Sequence, residues 1–287
     1  MIRIFNFTKF LRIFVVLNRN NPSMLLAIDI GNTNIVFGVN ESGSWKTHWR
    51  IQTDNLKTAD EYEVIFRSLI SAGKIWNTHV SQIILSSVVP SLVHPFTDML
   101  NKLFPAAVQT IVRPEIYEKL PVKVLNPYQI GADLVANSVA AFQKYGEFTT
   151  VIDFGTALTF TTIGKNAEIK GVAIAPGLQT AVAALAGKTA QLPDIHLVPP
   201  PSVLGKNTIH AIQSGVIFGF TGLVDSIIER TQDELGEKLT VIATGGLSAV
   251  IQPLTKYIKT VQPLLTLDGL YEINRLISGE ENKLIFT

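Results

Sequence analysis

Two aspartates in this chain each end an apolar run, and each is followed two residues later by glycine and then by polar residues. They are Asp29, within residues 25–39, and Asp153, within residues 150–163. Glycine permits a tight turn, and turn amides beside Asn or Thr side chains donate hydrogen bonds to anionic oxygens. A carboxylate in such a turn attracts a metal ion or a metal-bound water. The alternative is a hairpin whose aspartate caps its own turn.

A third carboxylate, Asp133, follows a loop that contains Pro127. Together with Gly131, it lies in the first turn of a predicted helix that is rich in alanine and serine. A carboxylate at that place complements the helix dipole, which is one interpretation. The other interpretation is a general base that is presented to a substrate at the entrance of the helix.

Glycines in the second half of the chain indicate places where a ligand or another backbone could approach closely. Gly245 and Gly246 follow an apolar strand, and a backbone without side chains suits the approach of a nucleoside. A long helix is predicted after residues 205–208, and its three glycines would permit close approach of a backbone or a flat ligand. These three are Gly215, Gly219 and Gly222.

The two Asp–Gly turns belong to the same series of elements. In each case a second strand follows the turn, and a third strand follows at residues 45–51 or 167–175. A repetition of this length indicates two related α/β halves. Their loops could close on one polyanion from opposite sides, and carboxylates with Thr and Asn donors suit a nucleotide with bound metal. Two unrelated hairpins are the alternative.

Strands and helices alternate along the chain, which is typical of an α/β architecture. Thr58 and Glu61 form a capping-box pattern ahead of a helix that extends to about Ala72. The other predicted elements are a strand at 81–89, a helix at 92–103, a strand at 108–112 and a helix at 180–190.

The composition excludes several classes of function. Of 287 residues, 47% are hydrophobic and 16% are charged, and the net charge is +1. These values indicate a packed globular protein and offer no broad basic surface to nucleic acid. The chain contains no cysteine, which excludes disulfides, thiolate zinc sites and cysteine nucleophiles. Its five histidines lack the spacing of a histidine-rich metal site.

Residues 1–23 are basic and apolar and contain no acidic residue. One interpretation is a signal-like or transit-like leader, because basic residues precede an apolar run. The run is shorter than the roughly 20 apolar residues that span a bilayer. The preferred interpretation is a dispensable extension ahead of Met24. In the glycine-containing helix, Asp225 and Glu229 argue against a membrane span.

Taken together, these motifs resemble those of the type III pantothenate kinases, which belong to the superfamily of acetate and sugar kinases, Hsp70 and actin. The resemblance extends from Met24 to about Ile277. The motifs that carry it are Asp29-Ile-Gly-Asn-Thr33, Ser86-Ser-Val-Val-Pro90, Asn126-Pro127 with Gly131-Ala-Asp133, Asp153-Phe-Gly-Thr-Ala157, Ala175-Pro-Gly177, Gly205-Lys-Asn-Thr208 with Gln213-Ser-Gly215, and Thr244-Gly-Gly246.

The resemblance implies two duplicated actin-like, or ribonuclease H-like, halves with a cleft between them, at residues 24–145 and 146–287. It implies transfer of the γ-phosphoryl group of ATP to the primary hydroxyl of pantothenate, the first step of coenzyme A biosynthesis. The implied cofactors are ATP, Mg²⁺ and either K⁺ or NH₄⁺. The implied protein is a cytoplasmic homodimer whose substrate pocket lies near the dimer interface, with no nucleic-acid or membrane partner.

The resemblance also implies roles for individual residues. Asp133 would be the general base that accepts the hydroxyl proton, Asp153 would help to hold the monovalent cation, and Asp29 would lie near the divalent cation. The residues expected to bind ATP are Asp29, Ile30, Gly31, Asn32, Thr33, Asn34, Ile35, Val36, Thr156, Gly245 and Gly246. Those expected to line the pantothenate site are Gly131, Ala132, Asp133, Leu134 and Thr208.

The sequence departs from the family pattern at three positions. Leu134 stands where the family usually has arginine, and Val124 stands where it often has a substrate-contacting tyrosine. Val172 replaces a glycine. Because arginine is a bidentate cationic donor, its loss is not conservative. Three explanations therefore stay open. Other residues could contact the pantothenate carboxylate, the protein could be a kinase of the same fold that acts on another small hydroxylated acceptor, or it could be a nucleotide-binding regulator without catalysis.

Overall fold

The computed structural model describes residues 24–75, 79–186 and 195–279. These residues form two compact units, which divide between Val112 and Arg113. The predicted N-terminal extension, residues 1–23, lies outside the described residues. The same is true of residues 187–190, which end the helix predicted at 180–190.

In its described residues, the first unit contains a five-stranded sheet and two helices. Its elements are β1 (Met24–Ile30), β2 (Asn34–Glu41), β3 (Ser44–Gln52), α1 (Ala59–Ala72), β4 (Val80–Ser87), α2 (Pro90–Leu103) and β5 (Val108–Ile111). The strand order is β3-β2-β1-β4-β5. The β1–β2 and β2–β3 pairs are antiparallel, whereas the β1–β4 and β4–β5 pairs are parallel.

Local sequence explains these elements. The central strand β1 is apolar except for Asp29, as expected for a strand that is covered on both faces. Phe37 of β2 stacks on Phe66 of α1, with ring centroids 4.1 Å apart. The predicted capping box is confirmed: the Thr58 N–H donates to the Glu61 carboxylate at 2.8 Å, and the Glu61 N–H donates to the Thr58 hydroxyl at 3.4 Å.

The second unit repeats the sheet and adds further helices. Its elements are α3 (Ala132–Tyr145), β6 (Thr149–Phe154), β7 (Ala157–Ile163), β8 (Ile169–Pro176), α4 (Leu178–Ala186), α5 (Thr208–Leu235), β9 (Thr240–Gly245), α6 (Ser248–Ile251), β10 (Thr260–Val261) and α7 (Leu265–Ile277). Short 3₁₀ helices lie at Pro114–Lys119, Lys165–Ala167 and Gln252–Leu254.

The two sheets have the same topology. The order β8-β7-β6-β9-β10 repeats β3-β2-β1-β4-β5, and each strand pair has the same relative direction as its counterpart. Asp29 and Asp153 are each the last residue but one of the central strand. The predicted duplicated α/β fold is therefore confirmed. The predicted cleft concerns the placement of the two units and stays a prediction.

Helices cover both faces of the second sheet. On one face, Val151 of β6 is buried with Ala140 of α3 and Leu265 of α7. On the other face, Ile152 is buried with Ile217 of α5. Successive strand residues point to opposite faces, so each apolar position of β6 is matched by a helix.

The units divide at a different place from the 145/146 boundary predicted between the halves. Residues 113–145 belong to the second unit, because α3 packs against α7 and β6. A Cβ on Gly269 of α7 would lie only 1.9 Å from the backbone oxygen of Ala136 in α3. The helix that carries Asp133 is therefore held against the second sheet.

Most predicted elements are present, with small shifts at their ends. Helix α2 begins at Pro90 rather than Leu92, because proline fits the first turn of a helix. Strand β8 begins at Ile169 rather than 167, because Lys165–Ala167 form a 3₁₀ helix. Helix α4 begins at Leu178 rather than Thr180.

Among the described residues, α5 is the one helix that is long and apolar enough to cross a membrane. One face of this helix packs on the sheet of the second unit. Val216, Val224 and Ile228 are buried against the sheet. The buried Gln213 side chain donates to the backbone oxygen of His196 at 2.8 Å.

Among the described residues, no backbone makes the close approach to the α5 glycines that their spacing would permit. A Cβ on Gly215, Gly219 or Gly222 would meet no described atom within 4 Å. Gly245 is different, because its φ is 87° and a Cβ there would lie 2.6 Å from the backbone oxygen of Phe154. The absence of a side chain at Gly245 is therefore needed where the end of β9 packs against β6.

We expect Gly245→Ala to lower the free energy of unfolding by about 3 kcal/mol, because the new Cβ strains a left-handed backbone and clashes with β6. Gly222→Ala is the matched control, and it should raise that free energy by up to about 1 kcal/mol, since alanine favours an exposed helix. Urea denaturation measures both. Equal stabilities of the two variants would contradict the packing described at Gly245.

Candidate active site

The first Asp–Gly turn joins β1 to β2, and a threonine beyond β3 fixes it. The Gly31 N–H donates to the Asn34 oxygen at 3.0 Å and closes the turn. The Thr53 hydroxyl donates to the Gly31 oxygen at 2.7 Å, and the Thr53 N–H donates to the Thr33 oxygen at 2.9 Å. Asn32 is exposed at the tip. The turn is thus rigidly supported and presents a polar side chain outward.

The second Asp–Gly turn joins β6 to β7, and the start of α4 fixes it. The Gly155 N–H donates to the Ala157 oxygen at 3.1 Å. The Thr156 oxygen accepts from the Gly177 N–H at 3.0 Å and from the Thr180 hydroxyl at 2.7 Å. A Cβ on Gly177 would lie 2.2 Å from the Gly155 oxygen, so this approach requires glycine.

Thr53 and Thr180 hold equivalent places in the two units. Each follows the third strand of its sheet, and each hydroxyl donates to a carbonyl oxygen of the turn. These hydrogen bonds fix the backbone of each turn. Neither threonine is predicted from the sequence, although the signal that could find them is a Thr soon after each third strand.

The two aspartates have different neighbours in their sheets. Asp29 pairs with Ser86 of β4, whereas Asp153 pairs with Thr159 of β7 and Thr244 of β9. Directly paired residues place their side chains on the same face. Asp153 therefore shares its face with two hydroxyl groups, and the second of these precedes the predicted ATP-binding residue Gly245.

Asp153 also receives a hydrogen bond from a helix. Asn137 Nδ2 of α3 donates to Asp153 Oδ2 at 3.3 Å, and Thr266 of α7 donates through its hydroxyl to Asn137 Oδ1 at 2.9 Å. Asn137 is fully buried. It lies one helical turn after Asp133, so the structure links the two predicted site carboxylates of this unit through α3. Asn137 is not predicted from the sequence.

The oxygen donors around Asp153 fit a monovalent cation. Thr159 Oγ1 is buried and has no hydrogen-bond partner among the described residues, and it lies on the same side of the sheet as Asp153. A carboxylate and hydroxyl groups are hard oxygen ligands of the kind that such cations take. This donor set is consistent with the K⁺ or NH₄⁺ ion expected there.

The first Asp–Gly turn supplies one carboxylate, that of Asp29. In the described part of the chain, no three His, Cys, Asp or Glu residues gather into a metal site. Mg²⁺ is usually bound by one or two carboxylates together with substrate phosphates and waters. A single carboxylate such as Asp29 therefore suits Mg²⁺ that arrives with a nucleotide.

Asp133 lies in the first turn of α3, directly after the N-cap region at Gly131. Burial raises the pKa of its carboxyl group above the ordinary value of 3.8, and the hydrogen bond from the Leu134 N–H at 2.8 Å opposes this rise. A carboxylate with a raised pKa is a stronger base than an exposed one. The structure is thus consistent with the general-base interpretation of Asp133.

Tyr117 is a neighbour of Asp133 that the sequence does not predict. Its phenol is only 5% exposed, and burial, the charge of Asp133 and then that of Glu115 raise its pKa to about 12. The phenol therefore stays protonated and can act as a hydrogen-bond donor near Asp133. The expected tyrosine position, Val124, is only half-buried.

The raised pKa gives Asp133→Asn a predicted effect on stability. The charged carboxylate is disfavoured in the folded state, so the wild type loses stability as the pH rises from 3.8 through the raised folded-state pKa. Asparagine does not ionise and avoids this loss. We expect the Tm of the variant to exceed that of the wild type by an amount that grows as the pH rises above about 4, until the folded-state carboxyl group has ionised. Melting curves across this range test it, and a constant difference would contradict the burial effect.

The residues expected to line the pantothenate site differ from the family pattern at Leu134. The Leu134 side chain is only 8% exposed, so it packs inside the second unit. It cannot replace the polar contacts of the usual arginine. Thr208 is exposed at the start of α5, where the Asn207 side chain caps the helix by accepting from the His210 N–H at 2.8 Å.

The sequence is similar to those of known proteins. The family model for type III pantothenate kinase matches residues 25–230. The type III pantothenate kinase of Moorella thermoacetica is 43% identical over 254 residues, which cover 88% of this chain and 100% of the relative. That of Roseiflexus castenholzii is 45% identical over 255 residues, with the same coverage.

Solved structures share the fold at low sequence identity. The activator of the 2-hydroxyisocaproyl-CoA dehydratase from Clostridium difficile, with bound ADPNP, has a TM-score of 0.50 and 12% identity, over 91% of this chain and 97% of that chain. The ethanolamine utilization protein EutJ from Carboxydothermus hydrogenoformans has a TM-score of 0.52 and 15% identity, over 87% and 89%. These likenesses show the fold alone.

The family match includes both Asp–Gly turns and Asp133, and the relatives align along their whole length. The chain therefore belongs to the type III pantothenate kinase family.

Proposed function

We propose that this protein transfers the γ-phosphoryl group of ATP to the primary hydroxyl of pantothenate. The observation that carries the proposal is the pair of Asp–Gly turns at equivalent strand ends, each fixed by a threonine, Thr53 or Thr180. Phosphoryl transfer depends mainly on positioning and charge stabilisation, and donor turns supply both. The full-length relatives named above are type III pantothenate kinases.

The nucleotide would bind at the residues that surround these turns. The proposed ATP-binding residues are 29–36 together with Thr156, Gly245 and Gly246. Asp29 would hold Mg²⁺, and Asp153 with the nearby Thr159 hydroxyl would hold K⁺ or NH₄⁺. These cations neutralise the negative charge of the phosphates, which the carboxylates alone could not do.

Asp133 would act on the acceptor. Its carboxylate, made more basic by burial, would accept the proton of the pantothenate hydroxyl as that oxygen bonds to phosphorus. Gly131, Ala132, Leu134 and Thr208 would line the acceptor site. Of these, Leu134 would contribute through its backbone, because its side chain is buried.

The burial of the Leu134 side chain favours a second candidate function. A buried Leu134 side chain offers no cationic partner for the pantothenate carboxylate. A kinase of the same fold that phosphorylates another small hydroxylated acceptor would not need that partner. A nucleotide-binding regulator without catalysis is the third candidate, although the net charge of +1 gives it no evident surface for DNA.

A homodimer is part of the proposal. Edge strand β8 exposes Val172 and Ile174, which are 37% and 69% exposed, so it offers an apolar edge to a second copy. We place the enzyme in the cytoplasm, where ATP is available, and assign it no membrane or nucleic-acid partner.

One experiment separates the candidates. The purified protein is incubated with ATP, Mg²⁺, K⁺ and, in separate reactions, pantothenate or other small alcohols, and ADP release is followed. ADP release that depends on pantothenate is expected. Release with another alcohol alone would assign a different kinase, and ATP binding without release in any reaction would favour the regulator.

A further inference from the structure

We propose that Asn137 is a positioning residue that orients the Asp153 carboxylate for cation binding and ties it to the helix of Asp133. This inference rests on the proposed cation role of Asp153. Asn137 is fully buried, and both ends of its amide are used: Nδ2 donates to Asp153 Oδ2, and Oδ1 accepts from the Thr266 hydroxyl. It therefore joins β6, α3 and α7 at one point.

The hydrogen bonds fix the orientation of the Asn137 amide. A carboxylate only accepts hydrogen bonds, so the NH₂ group must face Asp153. The Oδ1 atom then faces Thr266, whose hydroxyl donates to it at 2.9 Å. The reversed amide would set two acceptor oxygens against each other, so a single orientation holds Oδ2 of Asp153.

Packing keeps this amide in place. The α3 and α7 backbones meet at Ala136, the residue before Asn137, where a Cβ on Gly269 would lie 1.9 Å from the Ala136 oxygen. Thr266 lies one turn before Gly269 on α7, so the close contact and the hydroxyl donor belong to the same face. Neither helix can shift without breaking the bond to Asn137.

Several neighbours of the amide are apolar. Ala140, Ala141 and Val151 are buried beside it. A buried amide lowers stability unless it is fully hydrogen-bonded, so an apolar side chain would serve packing equally well. What an apolar side chain would not do is hold one oxygen of Asp153, whose strand partner Thr159 lies on the same face of the sheet.

The same helix carries Asp133 one turn earlier, on the face that Asn137 shares. A rotation of α3 that moved Asp133 would therefore also move the donor to Asp153. The proposed cation ligand Asp153 and the proposed base Asp133 are thus coupled mechanically through α3. Asn137 makes the contact between this helix and Asp153.

The test uses Asn137→Leu, which removes the amide at similar volume, and Thr266→Val, which removes only its orienting hydroxyl. Thr266→Ser keeps the hydroxyl and should behave as the wild type. Ser138→Ala is the buried control, because the Ser138 hydroxyl donates to the Leu134 oxygen within α3. K⁺ is titrated in two assays: the Tm of the full chain with a non-hydrolysable ATP analogue, and kcat with pantothenate.

We expect the K⁺ concentration at half-effect to rise at least about tenfold in Asn137→Leu and less in Thr266→Val, in both assays. The KM for pantothenate should change by less than about twofold, because Asn137 does not line the acceptor site. Ser138→Ala should match the wild type.

K⁺ midpoints that stay unchanged in both variants, in a wild type that responds to K⁺, would overturn this inference alone. If Asn137→Leu does not fold, Thr266→Val decides. A wild type that phosphorylates pantothenate without any response to K⁺ would overturn the cation role of Asp153 and this inference with it.

Discussion

Asp133→Asn is expected to lower kcat by about a thousandfold and to leave ATP affinity nearly unchanged. Asparagine has nearly the same shape and can still accept the hydrogen bond from the Leu134 N–H, but it cannot accept the acceptor's proton. A positioned general base contributes about 10²–10⁴ in rate. Steady-state turnover and calorimetric titration with an ATP analogue measure the two quantities.

The control is Asp233→Asn, which removes an exposed carboxylate from α5 in the same unit. It should retain wild-type kcat. Equal turnover of Asp133→Asn and the wild type would remove Asp133 from the mechanism. Asp133→Asn should also be more stable than the wild type near neutral pH, because burial disfavours the charged Asp133 carboxylate. Groups that are kept for function often lower stability in this way.

Asp29→Asn is expected to lower kcat/KM for ATP by about a hundredfold, because it removes the negative charge proposed to hold Mg²⁺ at the phosphates. The Mg²⁺ concentration at half-maximal rate should rise as well. The fold should persist, since the turn is closed by Gly31 and Thr53 rather than by this carboxylate. Turnover at varied Mg²⁺ and a melting curve test these expectations.

Asp98→Asn is the matched control for this change. Asp98 is a carboxylate of the first unit on α2, and its side chain is 49% exposed near His94. It should leave the Mg²⁺ dependence unchanged. If Asp29→Asn kept the wild-type rate and the same Mg²⁺ midpoint, the divalent cation would have to be held elsewhere.

The duplicated fold is predictable from the sequence because its signal is local and appears twice. Asp29 and Asp153 stand at equivalent ends of the two central strands, and the pattern of strand, Asp, Gly and strand marks both. The α1 cap is predictable for the same reason, since Thr58 and Glu61 are only three residues apart and satisfy each other's backbone donors.

The supporting residues are not predictable in this way because their partners are distant in sequence. Thr53 reaches back to Gly31, Thr180 reaches back to Thr156, and Thr266 contacts Asn137 from the far end of the chain. The role of each threonine depends on a partner that only the fold brings close to it. Apart from the place of Thr53 and Thr180 soon after a third strand, positions that depend on tertiary contacts leave no local pattern to read.

The glycines also show that a local pattern does not predict tertiary contacts. The spacing of the α5 glycines is typical of close helix packing, yet a Cβ on Gly222 would meet no described atom within 4 Å. Gly269, which no pattern marks, is the glycine at which two helices touch. Whether a glycine is needed depends on which atoms pack against it in the fold, and the spacing of residues in the sequence does not give that information. The 145/146 boundary differs from the observed division for a related reason, because the contacts of α3 with α7 decide its unit.

The most direct measurement of the proposed activity is the mass of the product. The full-length protein is incubated with ATP, Mg²⁺, K⁺ and pantothenate, and the mixture is analysed by mass spectrometry alongside the Asp133→Asn variant. We predict one phosphopantothenate for each ADP with the wild type and almost none with the variant. Unmodified pantothenate after wild-type incubation, with ATP bound or consumed, would contradict the assignment of pantothenate as the acceptor.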